Sequence, residues 1–257
     1  MKFIDSHAHY NSKQFNSDRS ALLNALPTKG VELIINVGYD LPSSRASIKL
    51  AEEYPHVYAT VGVHPHDAKS LTDKGLETLK HLCKHEKVVA LGEIGLDFYH
   101  NFSPADVQRD WFVRQLELAH QVDIPVAIHS RDANDEVFAI IEKSPVRQGV
   151  IHSFSGDAVL AAAYVEMGFY IGISGVVTFD KATTLKQAVA AIPLDRILME
   201  TDAPYLTPAP YRGKRNESPY LVYVAREIAR IKGISPEEVC MQTSENVKKL
   251  FTIELSD

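Results

Sequence analysis

The chain has 257 residues, enough for two small domains or one large one. Its 45% apolar and 23% charged residues are ordinary for a globular protein and supply ample core material. A formal net charge of −6 excludes bulk attraction to polyanions, so any nucleic-acid contact has to come from a local basic patch.

The first predicted strand is a short apolar run that leads into a His-x-His pair, Phe3-Ile4-Asp5-Ser6-His7-Ala8-His9. Alternate side chains of a strand share a face, so His7 and His9 point the same way, and two imidazoles side by side are half of a metal site. Val31–Gly38 and Val57–His64 are the second and third strands, with a helix between them opened by Pro42 after Leu41. Val88–Asp97 is the fourth. Ser103–Val122 follows as a helix, with Ser103 as N-cap and Pro104 at the first helical position. In it Val107, Trp111, Val113, Leu116, Leu118 and Ala119 form a broad apolar stripe. Pro125–His129 is the fifth strand and Ala133–Lys143 a helix. Gly149–His152, Phe169–Ser174 and Arg196–Thr201 are the last three strands, and Pro236–Phe251, after Ser235, is a closing helix.

Short Val- and Ile-rich strands alternating eight times with helices read as an α/β protein, a (β/α)8 barrel in one domain over 1–257. Strand count alone leaves a doubly wound sheet open. No Gly-, Ser- or Pro-rich linker divides the chain. Cys83 and Cys240 form no Cys-x-x-Cys clip and suit a reducing compartment. No signal-peptide pattern and no apolar run of roughly 20 residues occurs, so the expectation is a cytoplasmic protein with no membrane association and no obligate protein partner.

The strand ends carry the chemistry. His9 ends the first strand, and His64 the third, in Gly62-Val63-His64-Pro65-His66. Glu93 lies in the fourth, His129 ends the fifth, His152 the sixth, and Glu200 and Asp202 the eighth. One such residue is explicable as a hydrogen-bonded strand end. Six strands each delivering His, Asp or Glu to one rim point to a site at the C-terminal face, where barrels of this kind keep their chemistry. Histidines with carboxylates and no cysteine favour Zn, Mn or a similar divalent ion. The surplus of ligands over one tetrahedral site suggests two metals, with Glu93 as the natural bridge. Two such ions clamp the attacking and leaving oxygens of a phosphoester and acidify a water, and Asp202 orients that water or takes its proton. His64 is a supporting residue or a substrate contact. Asp5, on the face of His7, ligates or supports. Glu200 and Asp202 both face the rim, or one holds the other.

Near the rim, Arg131 follows His129 by two. After the eighth strand comes Tyr205, then Tyr211-Arg212-Gly213-Lys214-Arg215, whose cations suit phosphates and whose tyrosines suit a base, set against the plain alternative of a solvated loop. Phe98, Tyr99 and Phe154 are further stacking or core candidates.

As an ordered set, Asp5-Ser6-His7-Ala8-His9, Gly62-Val63-His64-Pro65-His66, Gly92-Glu93-Ile94-Gly95-Leu96-Asp97, Pro125–Arg131, His152-Ser153-Phe154-Ser155-Gly156 and Glu200-Thr201-Asp202-Ala203-Pro204 resemble the TatD family of metal-dependent deoxyribonucleases, within the amidohydrolase-like barrels. The resemblance covers essentially the whole chain. It implies a TIM-barrel hydrolase with a pair of divalent ions (Zn, Mg or Mn), held by His7, His9, Glu93, His129, His152 and Asp202 with Glu93 shared, and His64 facing substrate. It also implies 3′→5′ exonuclease action on DNA ends, or, as in some relatives, hydrolysis of other esters such as D-aminoacyl-tRNA. Many superfamily members bridge their metals with a carbamylated lysine, but no lysine lies within Val88–Asp97. Three functions follow: a phosphodiesterase on DNA ends, a carboxylic ester or amide hydrolase, and a non-catalytic metal-binding scaffold, the last leaving Asp202 without a use.

Overall fold

The computed structural model describes residues 1–254, so the domain end expected at 257 lies outside the described residues. Eight strands follow one another around a single parallel sheet: β1 (Phe3–Ala8), β2 (Val31–Val37), β3 (Val57–Val61), β4 (Val88–Asp97), β5 (Val126–Arg131), β6 (Gly149–Ile151), β7 (Tyr170–Ile173) and β8 (Ile197–Met199). Spatial order equals chain order, which rules out the doubly wound sheet, whose order reverses at a switch point. The segment after β8 closes the ring. Asp202 donates its N–H to the His7 carbonyl at 2.9 Å, His9 donates to the Ala203 carbonyl at 2.7 Å, and Ala8 and Ala203 form a parallel bridge.

The helices are α1 (Arg19–Ala25), α2 (Leu41–Glu53), α3 (Asp73–Leu82), α4 (Ala105–Gln121), α5 (Asn134–Lys143), α6 (Ala158–Glu166), α7 (Thr183–Ala191), α8 (Leu221–Lys232) and α9 (Pro236–Phe251). Ser235 caps α9 as expected. Two other helix starts differ from expectation. At α4 the cap position belongs to Pro104, which has no side-chain acceptor. The Ser103 hydroxyl instead donates to the His66 carbonyl at 2.8 Å and accepts from the Lys69 N–H at 3.1 Å, tying the loops after β3 and β4 together. At α2 the cap is Asp40, in a reciprocal pair with Ser43. Leu41 and Pro42 are therefore the first two helical residues.

Apolar side chains fall into two clusters, split by the period of two along the strands. Ala127, Val150 and Leu198 belong to the inner one, with Ile4, Leu33 and Ile35. Their neighbours Ile128, Ile151 and Met199 pack outward under the helices. Leu250 and Phe251 at the end of α9 join the inner cluster. Cys83 and Cys240 are both free thiols. No helix among the described residues is long and apolar enough to cross a membrane.

Candidate metal centre

Inward parity builds most of the site. Two residues beyond Ala127, Val150 and Leu198 come His129, His152 and Glu200, so each strand passes from an apolar inward position to a polar one at the rim. On β4, Leu91 pairs with Val126 and Ile94 with Ile128, three residues matching two. The bulge falls at Gly92–Glu93 and turns the Glu93 carboxylate into the rim pocket. A Cβ at position 92 would stand 2.6 Å from Ala127 Cβ, so glycine is what lets the strands approach there.

His7 and His9 do share a face: their Nε2 atoms are 3.2 Å apart. Glu93 Oε2 lies 3.5 Å from His7 Nε2 and 3.6 Å from His9 Nε2, and Asp202 Oδ1 lies 3.8 and 3.3 Å from the same atoms. Most of these separations are long for hydrogen bonds. They are close to the edges of a tetrahedron of ligands around an ion at about 2.0–2.2 Å, which are about 3.3–3.6 Å. His9 Nδ1 lies 3.1 Å from the Val37 carbonyl, which can only accept. Nδ1 therefore carries the proton and Nε2 keeps the lone pair a metal needs. Asp202 reaches this position with φ at +57°, in the left-handed region sparsely used by residues other than glycine.

The second oxygen of Glu93 faces a different group. Glu93 Oε1 is 2.9 Å from His129 Nδ1, 3.5 Å from His64 Nε2 and 3.8 Å from His152 Nε2. Among the described residues, sets of ligand atoms close enough to share an ion include His7, Glu93 and His152; His7, His9 and Asp202; and His64, Glu93 and His129. His64 Nδ1 accepts the His66 N–H at 3.1 Å. Burial, only partly offset by Glu93, pushes the His64 pKa well below the usual histidine value, so the ring is neutral and its proton sits on Nε2, facing the pocket. Behind the site, Glu200 Oε1 stands 2.8 Å from His152 Nδ1 and accepts the Ser153 N–H at 2.6 Å. Asp97 Oδ2 lies 3.2 Å from His129 Nε2 and 2.8 Å from His66 Nε2.

The centre favours positive charge. Burial opposes ionisation of Glu93, but the imidazoles around it, His129 and His7 among them, outweigh it and hold the carboxyl well below its usual range. Burial likewise opposes a charge on His152, yet Glu200, with Glu93 and Asp202, pushes its pKa up to about 10. A field that holds protons on buried imidazoles also suits a cation in their place.

Of the residues expected at the rim, His9, His64, Glu93, His129, Arg131, His152, Asp202 and Tyr205 line one cavity of about 580 Å³, with His7 packed beneath, its ring stacked on His152 at 3.5 Å. Asp5 supports. Its buried oxygens accept from the Thr201 N–H and hydroxyl, the Ser218 hydroxyl and the His7 N–H. Glu200 holds His152 rather than Asp202. The cationic loop lies outside this cavity. Arg215 grips Asp18 at 2.9 and 2.6 Å and Glu217 at 3.1 Å, Lys214 sits over the Tyr211 ring, and Arg212 lies over Phe179. Tyr211 stacks on Tyr220 and Phe154 is buried against Tyr164, so neither is free to stack a base. Phe98 packs against the core beneath Arg109, and Tyr99 is exposed beneath Arg131. His66, Asp97, His100 and Tyr39, to which the sequence alone gives no role, also line the cavity. The even spacing of Asp97 from Glu93 and of His66 from His64 was the available signal.

Comparison with known proteins agrees over nearly the full length. The family model for TatD-related DNase matches residues 4–252. The uncharacterized metal-dependent hydrolase YabD of Bacillus subtilis is 43% identical over 252 residues, covering 97% of this chain and 99% of the relative. The 3′-5′ ssDNA/RNA exonuclease TatD of Escherichia fergusonii is 36% identical over 258 residues, covering 97% and 99%. The crystal structure of YJJV, a TatD homologue from Escherichia coli, superposes with a TM-score of 0.91 at 32% identity and 98% coverage of both chains. Likeness at this identity and length makes the chain a metal-dependent hydrolase and a member of the TatD family.

Proposed function

We propose that this chain is a 3′→5′ exonuclease on single-stranded DNA, working with two divalent ions. The observation that carries this is Glu93, whose two oxygens each face their own group of imidazoles, as a carboxylate shared between two cations requires. His7, His9 and Asp202 would complete the first position, and His129 and His152, both facing Glu93 Oε1, the second. Divalent ions held there would acidify a water and neutralise charge on the phosphodiester oxygens. Asp202, ionised and at the cavity wall, takes the proton of the attacking water. His64 donates a hydrogen bond from Nε2–H to a phosphoryl oxygen as charge develops there. Arg131 and Tyr205, both exposed on the cavity wall, grip the strand end, one by charge and one by stacking. A cavity of about 580 Å³ suits one nucleotide better than a duplex.

The test is release of mononucleotides from end-labelled single-stranded DNA by metal-loaded protein with Mg, Mn or Zn. The labelled end identifies the polarity, and Glu93→Ala abolishes release. DNA left intact under all three metals overturns the proposal. D-aminoacyl-tRNA, run in parallel, reports whether the centre prefers a carboxylic ester.

A further inference from the structure

Two further cavities extend the metal pocket along one side of the rim. The first, about 370 Å³, shares His129, Arg131, His152, Asp202 and Leu206 with it. The second, about 560 Å³, shares Val176, Lys181 and Ala182 with the first and ends at Phe179 and Arg212. Their common walls make one groove, running from the centre across the loops after β6 and β7 to the loop after β8. Cations stand along it in order: Arg131 where it leaves the centre, Lys181 at the middle wall, Arg212 at the far end. All three are exposed, and among the described residues none makes a salt bridge. Tyr99 underlies the Arg131 guanidinium at 4.0 Å and Phe179 underlies that of Arg212 at 4.5 Å, so the planes are steadied while their charge stays available. Arg215, three positions on, shows the contrast: two carboxylates already neutralise it. Among the described residues, Asp180 is the one acid lining the outer cavity.

We propose that this groove is a track for the backbone of single-stranded nucleic acid, with Lys181 and Arg212 contacting phosphates remote from the bond being cut. The proposal rests on the exonuclease function and adds strand-length preference to it. A net charge of −6 offers a polyanion no bulk attraction, so side-chain cations along a strand's path have to be placed locally. One nucleotide fills the inner cavity, and a strand longer than that has to leave it somewhere. The groove is an open exit whose cations are unspent.

The experiment compares wild type with Lys181→Ala/Arg212→Ala on a dinucleotide and a ten-nucleotide strand. A Lys29→Ala/Lys84→Ala variant, on loops before β2 and β4 at the opposite end of the barrel, controls for net charge. The expected result is a KM for the longer strand that rises roughly tenfold in the groove variant, with kcat and the dinucleotide KM unchanged. Each lost phosphate contact also flattens the dependence of log KM on log salt by about 0.7, so by about 1.4 for two. A wild-type KM independent of length, or a groove variant with the wild-type slope, overturns the track and leaves the exonuclease function standing. If no strand is cut by any protein, the exonuclease function fails. Anisotropy of the labelled ten-nucleotide strand still decides the track: weaker binding in the groove variant than in the control supports it, and equal binding overturns it.

Discussion

Glu200 and His64 each touch a histidine or carboxylate of the centre, and their contacts predict opposite signatures. Glu200 is fully buried, its Oε1 is 2.8 Å from His152 Nδ1, and it accepts the Ser153 N–H. A carboxylate behind an imidazole fixes the ring and raises its basicity toward a metal on the other nitrogen. Glu200→Gln keeps the shape and removes the charge, so metal affinity falls about 10- to 100-fold. Competition with a chromophoric chelator measures this, and unchanged affinity would remove His152 from the ligand set. His64 presents an Nε2 proton rather than a lone pair, because its Nδ1 is committed to the His66 N–H. His64→Ala therefore leaves metal content intact while kcat falls on the order of 10²–10³-fold, the usual loss for one donor to a developing oxyanion. Loss of a metal equivalent in that variant would instead make His64 a ligand.

At the scale of elements, the strand ends were legible because parity is strictly two. Once β5, β6 and β8 were placed, His129, His152 and Glu200 had to face inward. What parity does not carry is where the backbone leaves it. Asp202 turns through a left-handed residue, and Glu200 finds its partner, His152, just past β6, so their spacing of two revealed neither. The loop after β8 was opaque for a similar reason. Its cations look equivalent in sequence, yet Arg215 pairs with Asp18, 197 positions away, and covers the Phe15 ring, pinning this loop to the start of α1. Arg215→Ala should thus lower the melting temperature by a few degrees and leave KM for DNA unchanged. A raised KM with unchanged melting would return Arg215 to the substrate. A second pin joins α7 to α8. Lys186 Nζ is 3.1 Å from Glu227, which Arg230 also holds. Arg230 first, then Lys186, lowers the Glu227 pKa against the opposing effect of burial. A lowered carboxylate pKa adds stability above the unfolded value near pH 4.3, and that stability is lost as pH falls through the folded value. Water reaches the pair, so Glu227→Gln costs at most about 1 kcal/mol at pH 7. The gap between urea midpoints of the two proteins should close as pH drops below about 4, whereas a gap independent of pH would mean that packing, not charge, joins the helices.

For the whole molecule, the decisive place is the seam between β8 and β1. The ladder from β1 through β8 is continuous, but this last junction is made by single contacts: Asp202 N–H to the His7 carbonyl, His9 N–H to the Ala203 carbonyl, the Ser6 hydroxyl to the Met199 carbonyl at 3.0 Å, and Asp5 bonded to Thr201 and Ser218. The proposed ligands lie on both sides of it, His7 and His9 on or just past β1 and Asp202 just past β8. An ion shared by these three side chains therefore crosses the seam and braces barrel closure as well as the chemistry. Binding to the folded state alone, at a hundred times Kd, stabilises by about 2.7 kcal/mol. In a chain of this size that raises the melting temperature by roughly 5–10 °C over protein stripped with a chelator. Any tightly bound ion produces such a rise, so location is the sharper measurement. Hydrogen exchange at the amides of His9 and Asp202 should slow on metal loading more than at Gly38 or Val126, whose amides donate to the carbonyls of Thr60 and Gln148 away from the seam. Equal protection at all four amides would mean that the metal stabilises the barrel without bridging its two ends.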